Sequence, residues 1–263
     1  MFVDIGVSDN LYANIQDLMN LATLSNFYLG GGTGLAVKYN HRVSTDIDLF
    51  SQGVVGIKKM HEIAQEIQEK FKPEFIKVLN NRQDNLCFIR TIIGSENTKV
   101  EIIQNLKFIA EPKITKGIRL INDDDIGALK LLSAAGRGVQ KDFYDLHLLT
   151  EMKPLPYYYD HLLKYYKFNE GAPTNIFDNF DSMMSGIGTD LLTDLSPLCN
   201  FNNAGDKKNS SNRIVFTKNS SINIVWPLLR NKWKAKVCQL AKERNIRFIE
   251  TPTQRKPKFP GRW

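Results

Sequence analysis

Apolar side chains recur along the chain with two periods, and the places where one period gives way to the other outline the elements. Between Asp9 and Ser25, Leu11, Ile15, Leu18, Met19 and Ala22 fall at helical spacing behind an Asp-Asn start that suits a cap. The short apolar run Phe27-Tyr28-Leu29 then meets Gly30-Gly31-Gly32-Thr33 and passes into Gly34-Leu35-Ala36-Val37-Lys38-Tyr39, which predicts strand, glycine turn and helix. Thr45-Asp46-Ile47-Asp48-Leu49-Phe50 alternates strictly. As a strand it places Thr45, Ile47 and Leu49 on one face and Asp46 and Asp48 on the other. Ile57 to Phe71 is an amphipathic helix, and Leu86 to Ile93 with Thr98 to Ile103 form a hairpin around Gly94-Ser95-Glu96-Asn97. Asn122-Asp123-Asp124-Asp125 opens a helix with its acids in the first turn, where the dipole favours them. It runs to about Ala135, Gly136-Arg137-Gly138 interrupts it, and a second helix spans about Gln140 to Met152.

This order predicts a mixed α/β core followed by a helical portion, with no internal repeat. Residues 171–206 are Asp/Asn/Ser-rich and only weakly periodic. Beyond them Trp226, Leu229, Trp233, Val237 and Leu240 return to i+3/i+4 spacing, while Arg230, Lys232, Lys234 and Lys236 fall largely off that stripe, so a basic amphipathic helix is expected. The tail from Pro252 to Trp263 is expected to be flexible.

Composition places the chain among ordinary globular proteins: 263 residues, 42% hydrophobic and 24% charged. Charge adds an asymmetry. Residues 1–206 carry 20 basic and 26 acidic side chains and residues 207–263 carry 15 and 2, so a body of −6 is joined to a quarter of +13 and the whole is +7. Such a split suits a protein that holds a polyanion, nucleic acid foremost, with one part; the alternatives are a solvated basic helix or a docking surface for an acidic protein. No apolar run is long enough to span a membrane, and the N-terminus lacks a secretory layout, so a cytoplasmic protein without membrane contact is expected. Cys87, Cys199 and Cys238 are odd in number and far apart, which points to buried thiols rather than disulfides or zinc.

The glycine turn and the Asp-X-Asp strand carry the chemistry. Glycines between a strand and a helix let backbone N–H groups approach phosphate, with the helix N-terminus adding a favourable field. Two carboxylates one residue apart on a strand project side by side and suit one Mg²⁺ or share two. Either feature alone is commonplace; together, a dozen residues apart, they point to a metal–triphosphate site. The blocks Gly31-Gly32-Thr33 and His41-Arg42-Val43-Ser44-Thr45-Asp46-Ile47-Asp48-Leu49-Phe50 resemble the signature of the DNA polymerase β-like nucleotidyltransferase superfamily. The second block is similar in particular to the AbiEii/AbiGii toxins of abortive-infection and toxin–antitoxin systems, to which the MenT toxins are similar. The run from Lys130 through Arg137-Gly138 to Lys141-Asp142-Phe143-Tyr144-Asp145 resembles a later block of the same family, so the resemblance spans about residues 25–152.

The resemblance implies an α/β (α+β) nucleotidyltransferase-type mixed sheet flanked by helices. Together with the element order and the charge split, it suggests a core at 1–122, a helical region at 123–206 completing the site, and a basic segment at 207–263, the last of which the resemblance does not reach. It implies Mg²⁺, two ions, held by Asp46, Asp48 and a third carboxylate that matches Glu101, with an NTP as substrate. Glu101 stands where the family more often has Asp; its other reading is a solvent-facing strand residue. Gly31, Gly32, Thr33, Arg42 and Ser44 are implied nucleotide contacts. Lys130, set among apolar neighbours, is a candidate catalytic residue touching triphosphate, or a surface lysine lying along the apolar face. Arg137 either clamps phosphate or pairs with Asp142 or Asp145. Lys141, Asp142 and Asp145 either line the nucleotide site, orient the cations, or form i,i+3/i+4 pairs. His41, beside Arg42 in the motif, either touches phosphate or, as loop histidines more often are, is structural or solvated; His61 and His147 lack partners at metal spacing; all three are set aside. Tyr157, Tyr158, Tyr159, Tyr165 and Tyr166 suit helical packing better than base stacking. The implied activity is transfer of a nucleoside monophosphate to RNA, tRNA by similarity to MenT, or to protein, with a cognate antitoxin as partner. The alternatives are an aminoglycoside-type transferase acting on a small molecule and a non-catalytic nucleic-acid-binding protein on the same fold.

Overall fold

The computed structural model describes residues 5–79, 87–169, 191–201, 203–204 and 214–249. Helix α1 (Asp9–Met19) is capped by Ser8, whose hydroxyl accepts from Leu11 N at 3.1 Å, one residue ahead of the expected Asp-Asn pair. It stops well short of Ser25. A turn of 3₁₀ helix (Ala22–Leu24) carries the apolar period onward and buries Leu24, so periodicity alone made one helix of two elements. There follow β1 (Tyr28–Leu29), α2 (Gly31–Tyr39), β2 (Ile47–Phe50), α3 (Gly56–Phe71), β3 (Ile76–Leu79), β4 (Phe88–Ile93), β5 (Thr98–Ile103), β6 (Lys113–Thr115) and β7 (Ile118–Leu120). The chain then becomes helical, with α4 (Asp123–Gly136), α5 (Gln140–Met152), α6 (Leu155–Asn169), a short 3₁₀ turn (Ser196–Cys199) and α7 (Trp226–Arg244).

The seven strands make one mixed sheet in the order β3-β4-β5-β2-β1-β7-β6. β2 runs parallel to β5 and β1 parallel to β7, while the other neighbours are antiparallel. Alternation in β2 works as the sequence predicts: Ile47 and Leu49 are buried among Ile15, Leu18, Met60, Ile63 and Val100, in the layer built by α1 and α3. A second core gathers α4 to α7 around Phe143, Tyr158, Leu195 and Trp233 and reaches the sheet through Leu35 and Ile121. Asp125, in the acidic start of α4, is fully buried: it accepts from the Ile109 and Ala110 amides at 3.1 Å and from the Tyr165 hydroxyl at 2.5 Å, and it lies 2.8 Å from His161 Nε2. β3, β6, β7 and α6 were not delimited by the pattern. β6 is an exposed edge with Ile114 76% accessible, so no burial disciplined its sequence into alternation. In α6 the packing reading of the tyrosines holds for Tyr158, Tyr159 and Tyr165, all buried.

α7 is basic, as its composition says, yet it is also a core helix. Leu229, Trp233, Val237 and Leu240 are buried, and Trp233 Nε1 donates to Leu198 O at 2.8 Å. Some of its charge meets the acidic body, Lys236 at Glu151 (3.0 Å) and Arg244 at Asp160 (2.7 Å). Cys87 and Cys199 are buried and Cys238 half-buried, and none of the three is in a disulfide. Among the described residues no helix is long and apolar enough to cross a membrane. Most of the weakly periodic stretch and the tail from Pro252 lie outside the described residues.

Candidate active site

The glycines are the first turn of α2 rather than a loop before it. Gly30 N donates to Asp48 O at 2.9 Å, which pins the helix start to β2. Gly31 has φ +63°, the left-handed region, and a Cβ there would stand 2.9 Å from Asp48 Oδ2. Both facts require glycine. A Cβ on Gly32 would meet Arg42 Nη2 at 2.0 Å and Asp145 Oδ2 at 3.2 Å. The opening N–H groups of α2 have no side-chain cap, and the helix start abuts Asp48. Thr33 is buried; its hydroxyl donates to Asp46 O and lies 2.7 Å from Ser44 Oγ. Thr33 and Ser44, expected as nucleotide contacts, are thus turned inward, where they fasten the helix start to the segment bearing the aspartates.

Asp46 and Asp48 are partly exposed, and register sets Asp48 directly beside Glu101. Burial pushes the Asp48 carboxyl above its ordinary value and the charges of Glu101 and Asp46 add to the shift; Lys99 and Arg137 oppose it. Glu101 is held by Arg90 Nη2 at 2.6 Å and Lys99 Nζ at 3.0 Å. Burial raises its carboxyl, but these cations outweigh burial and hold it below the usual range. Among the described residues no three His, Cys, Asp or Glu side chains are gathered tightly enough to cage a metal. Magnesium asks for less: one or two carboxylates, several waters and substrate phosphate oxygens. Asp46 and Asp48, crowded by like charge, meet that requirement. Glu101 is in register to join them but is paired elsewhere.

Behind this cluster lies a buried chain of charges. Asp145 accepts from Arg42 Nε and Nη2 at 2.7 Å each, pairs with Lys130 Nζ at 2.7 Å, and lies 2.8 Å from His41 Nε2. Lys130 also reaches Asp142 at 3.0 Å, and Arg137 grips Asp142 through two nitrogens at 2.7 Å. Burial raises both carboxyls, yet Arg42 and Lys130 hold Asp145 well below its ordinary value, and Arg137 and Lys130 hold Asp142 at about 2. The predicted helix break is real: Gly138 has φ +59°, and a Cβ there would meet Asn200 O at 2.4 Å.

Of the expected phosphate contacts, Arg42 and Lys130 are therefore buried against carboxylates, while Arg137 keeps 45% of its side chain exposed and senses Asp48 as well as Asp142. Lys141 Nζ lies 3.9 Å from Asp46 Oδ2. Burial, and then Arg137, lowers the Lys141 ammonium. His41, set aside from the sequence, is fully buried and belongs to the chain, its pKa lowered chiefly by burial. The segment after residue 213 also escaped the sequence reading. Val43 N donates to Val215 O at 2.8 Å, Ser220 Oγ to His41 O at 2.6 Å and Thr217 Oγ1 to Asn40 O, so this segment straps the Asn40–Val43 backbone in place. Nothing local announces contacts about 175 residues apart.

Gly32→Ala is expected to displace the Arg42 guanidinium, because its Cβ would overlap Nη2. The loss should be about 2–4 kcal/mol in a urea titration, within the range for overpacking plus a disturbed buried ion pair. A change under about 0.5 kcal/mol would mean that Arg42 is not where the structure sets it.

A helix start opened by glycine against paired aspartates, on a mixed sheet, defines the class: a nucleotidyl-transferase fold. The family model of the nucleotidyl transferase AbiEii toxin of type IV toxin–antitoxin systems matches residues 16–194, and the chain belongs to that family. A relative from Aquifex aeolicus (strain VF5), the uncharacterized protein aq_aa25, is 29% identical over 146 residues, 51% of this chain and 63% of that protein. The chain thus spans less than two thirds of this relative. Among solved structures it is similar to the antibiotic-resistance factor ANT(2'')-Ia, with a TM-score of 0.42, 14% identity and coverage of 60% of this chain and 94% of that one. It is also similar to the Megavirus polyadenylate synthase, with a TM-score of 0.38, 12% identity and coverage of 54% and 32%.

Proposed function

We propose that the protein transfers a nucleoside monophosphate from an NTP to RNA, tRNA foremost, and that it acts in the cytoplasm as the toxin of a toxin–antitoxin pair. The observation that carries this reading is the close approach of the first turn of α2 to Asp48, which sets a glycine backbone suited to phosphate beside a carboxylate suited to a metal. Family membership supports the reaction class, and the family's toxin–antitoxin setting supports an antitoxin as partner. Asp46 and Asp48, with Glu101 in register, would hold magnesium, which when bound neutralises the triphosphate and activates the attacking oxygen. The amides of Gly31 to Thr33 receive phosphate oxygens. Arg137 and Lys141, at the edge of the carboxylates, bear on the remaining charge. Arg42, Lys130, Asp142 and Asp145 hold these elements in place. A new bond joins the acceptor oxygen to the α-phosphorus as the bond to pyrophosphate breaks.

The test is incubation with each of the four α-labelled NTPs, Mg²⁺ and total RNA, followed by separation of RNA from protein. Label in RNA from one or more NTPs is expected. Label confined to protein would move the acceptor to that class, and absence of both label and metal-dependent NTP binding would sink the reading. Removing residues 207–263 is a poor way to test the basic quarter, because it strips Trp233 and Val237 from the core. Charge reversal on exposed Lys232 leaves the packing intact.

A further inference from the structure

The row of side chains through the aspartates continues past Glu101. In register, Asp48 on β2 faces Glu101 on β5, Glu101 faces Arg90 on β4, and Arg90 faces Lys77 on β3. Partners in register share a face of the sheet, and with strands about 4.8 Å apart Lys77 stands roughly 14 Å from Asp48. α1 and α3 pack on the opposite face, whereas here the side chains remain open: Phe75 is 40% and Ile92 42% accessible, and Arg90 and Lys99 keep 47% and 41% of their side chains exposed. Arg90 lies over the Phe88 ring at 5.6 Å. The outer face of β3, β4 and β5 is thus an open surface with Lys77, Arg90 and Lys99 against the single acid Glu101, with the Phe75 ring exposed and the Phe88 ring half-buried under Arg90.

We propose that this face carries the acceptor as a single strand of RNA and leads its end to Asp46 and Asp48. The proposal rests on the transfer reading and adds the path of the acceptor. Cations spaced across strands match phosphates, and the exposed Phe75 ring matches a base, each of which has a face to stack whatever its sequence. A small acceptor would need enclosure that an open sheet face does not give.

The test uses the full chain and a fluorescein-labelled 12-nucleotide single-stranded RNA, without NTP. Lys77→Glu and Phe75→Ala should each weaken binding roughly tenfold, the scale of one stacking or phosphate contact, and Lys77→Glu should also flatten the salt dependence by about 0.7 in log–log slope. Lys77→Arg should restore both quantities. Lys77 and Phe75 are exposed and lie outside the candidate transfer site, so the core and NTP binding should be unchanged. RNA affinity unaltered in both variants overturns the proposal, even in a protein that transfers label. Affinity lost in both variants of a protein that transfers no label supports the face and overturns only the transfer reading. Label that enters protein alone, at full rate in Lys77→Glu, overturns RNA as the acceptor.

Discussion

Asp145→Ala should lose about 3–5 kcal/mol of unfolding free energy at neutral pH, the usual cost of removing one partner from a buried ion pair. Asp145 is fully buried and answers Arg42 through two nitrogens and Lys130 through one, each at 2.7 Å. Without it Arg42 retains, among the described residues, its bond to Val43 O, and Lys130 must share Asp142 with Arg137. Two cations would then be left short of counter-charge inside the protein. The same network sets an acid dependence. A carboxyl depressed in the folded state contributes stability that is full above the unfolded pKa, near 4, and disappears as pH falls through the folded pKa. With Asp142 held at about 2 and Asp145 well below its ordinary value, wild-type stability should fall steadily from about pH 4 towards pH 2. Asp142 alone accounts for about 2 kcal/mol of that fall. Urea titrations at pH 7 and pH 3 read both effects, and Asp145→Ala should show the smaller difference between the two. A neutral-pH loss under about 1 kcal/mol would show that the buried chain does not hold the site together.

What the sequence disclosed and what it withheld divide along distance. The glycine start of α2 and the alternation of β2 were legible because turn chemistry and strand period act over a few residues, and Gly31 and Asp48 lie only seventeen positions apart. The break between α4 and α5 was equally local, written in Gly136 and Gly138. Arg42 and His41 were visible as motif residues, but their carboxylate partner lies more than a hundred positions onward, and no spacing rule reaches that far. Arg42 was implied as a phosphate contact by resemblance and Lys130 by its apolar neighbours; burial makes both counter-charges, Arg42 of Asp145 and Lys130 of Asp142 and Asp145, and for Lys130 this is the alternative pairing. Glu101 was found only through resemblance, and strand register supplied the physical reason for its place beside Asp48. The basic count of the last quarter was correct, but charge does not say which side of a helix packs. Trp233 and its neighbours make α7 part of the core before it is anything else.

Asp48→Asn should separate the two demands on this protein by moving them in opposite directions. In the folded chain burial, and after it Glu101 and Asp46, make the Asp48 charge unwelcome. An amide of the same shape keeps the packing against Gly31 while removing one negative charge from the crowd, so stability should hold or rise by up to about 1 kcal/mol. Under the proposed function transfer should fall by roughly a thousandfold or more, because there the carboxylate would supply several kcal/mol of charge neutralisation at the triphosphate. A buried ion-pair residue behaves otherwise, as Asp145→Ala is expected to lose stability and rate together. Measuring initial transfer rates beside thermal melting on both variants therefore tests the assignment of roles and not merely the importance of each residue. If Asp48→Asn melts several degrees lower, or transfers at near the wild-type rate, then Asp48 is a structural carboxylate and the crowding of charge at the head of α2 needs a different explanation.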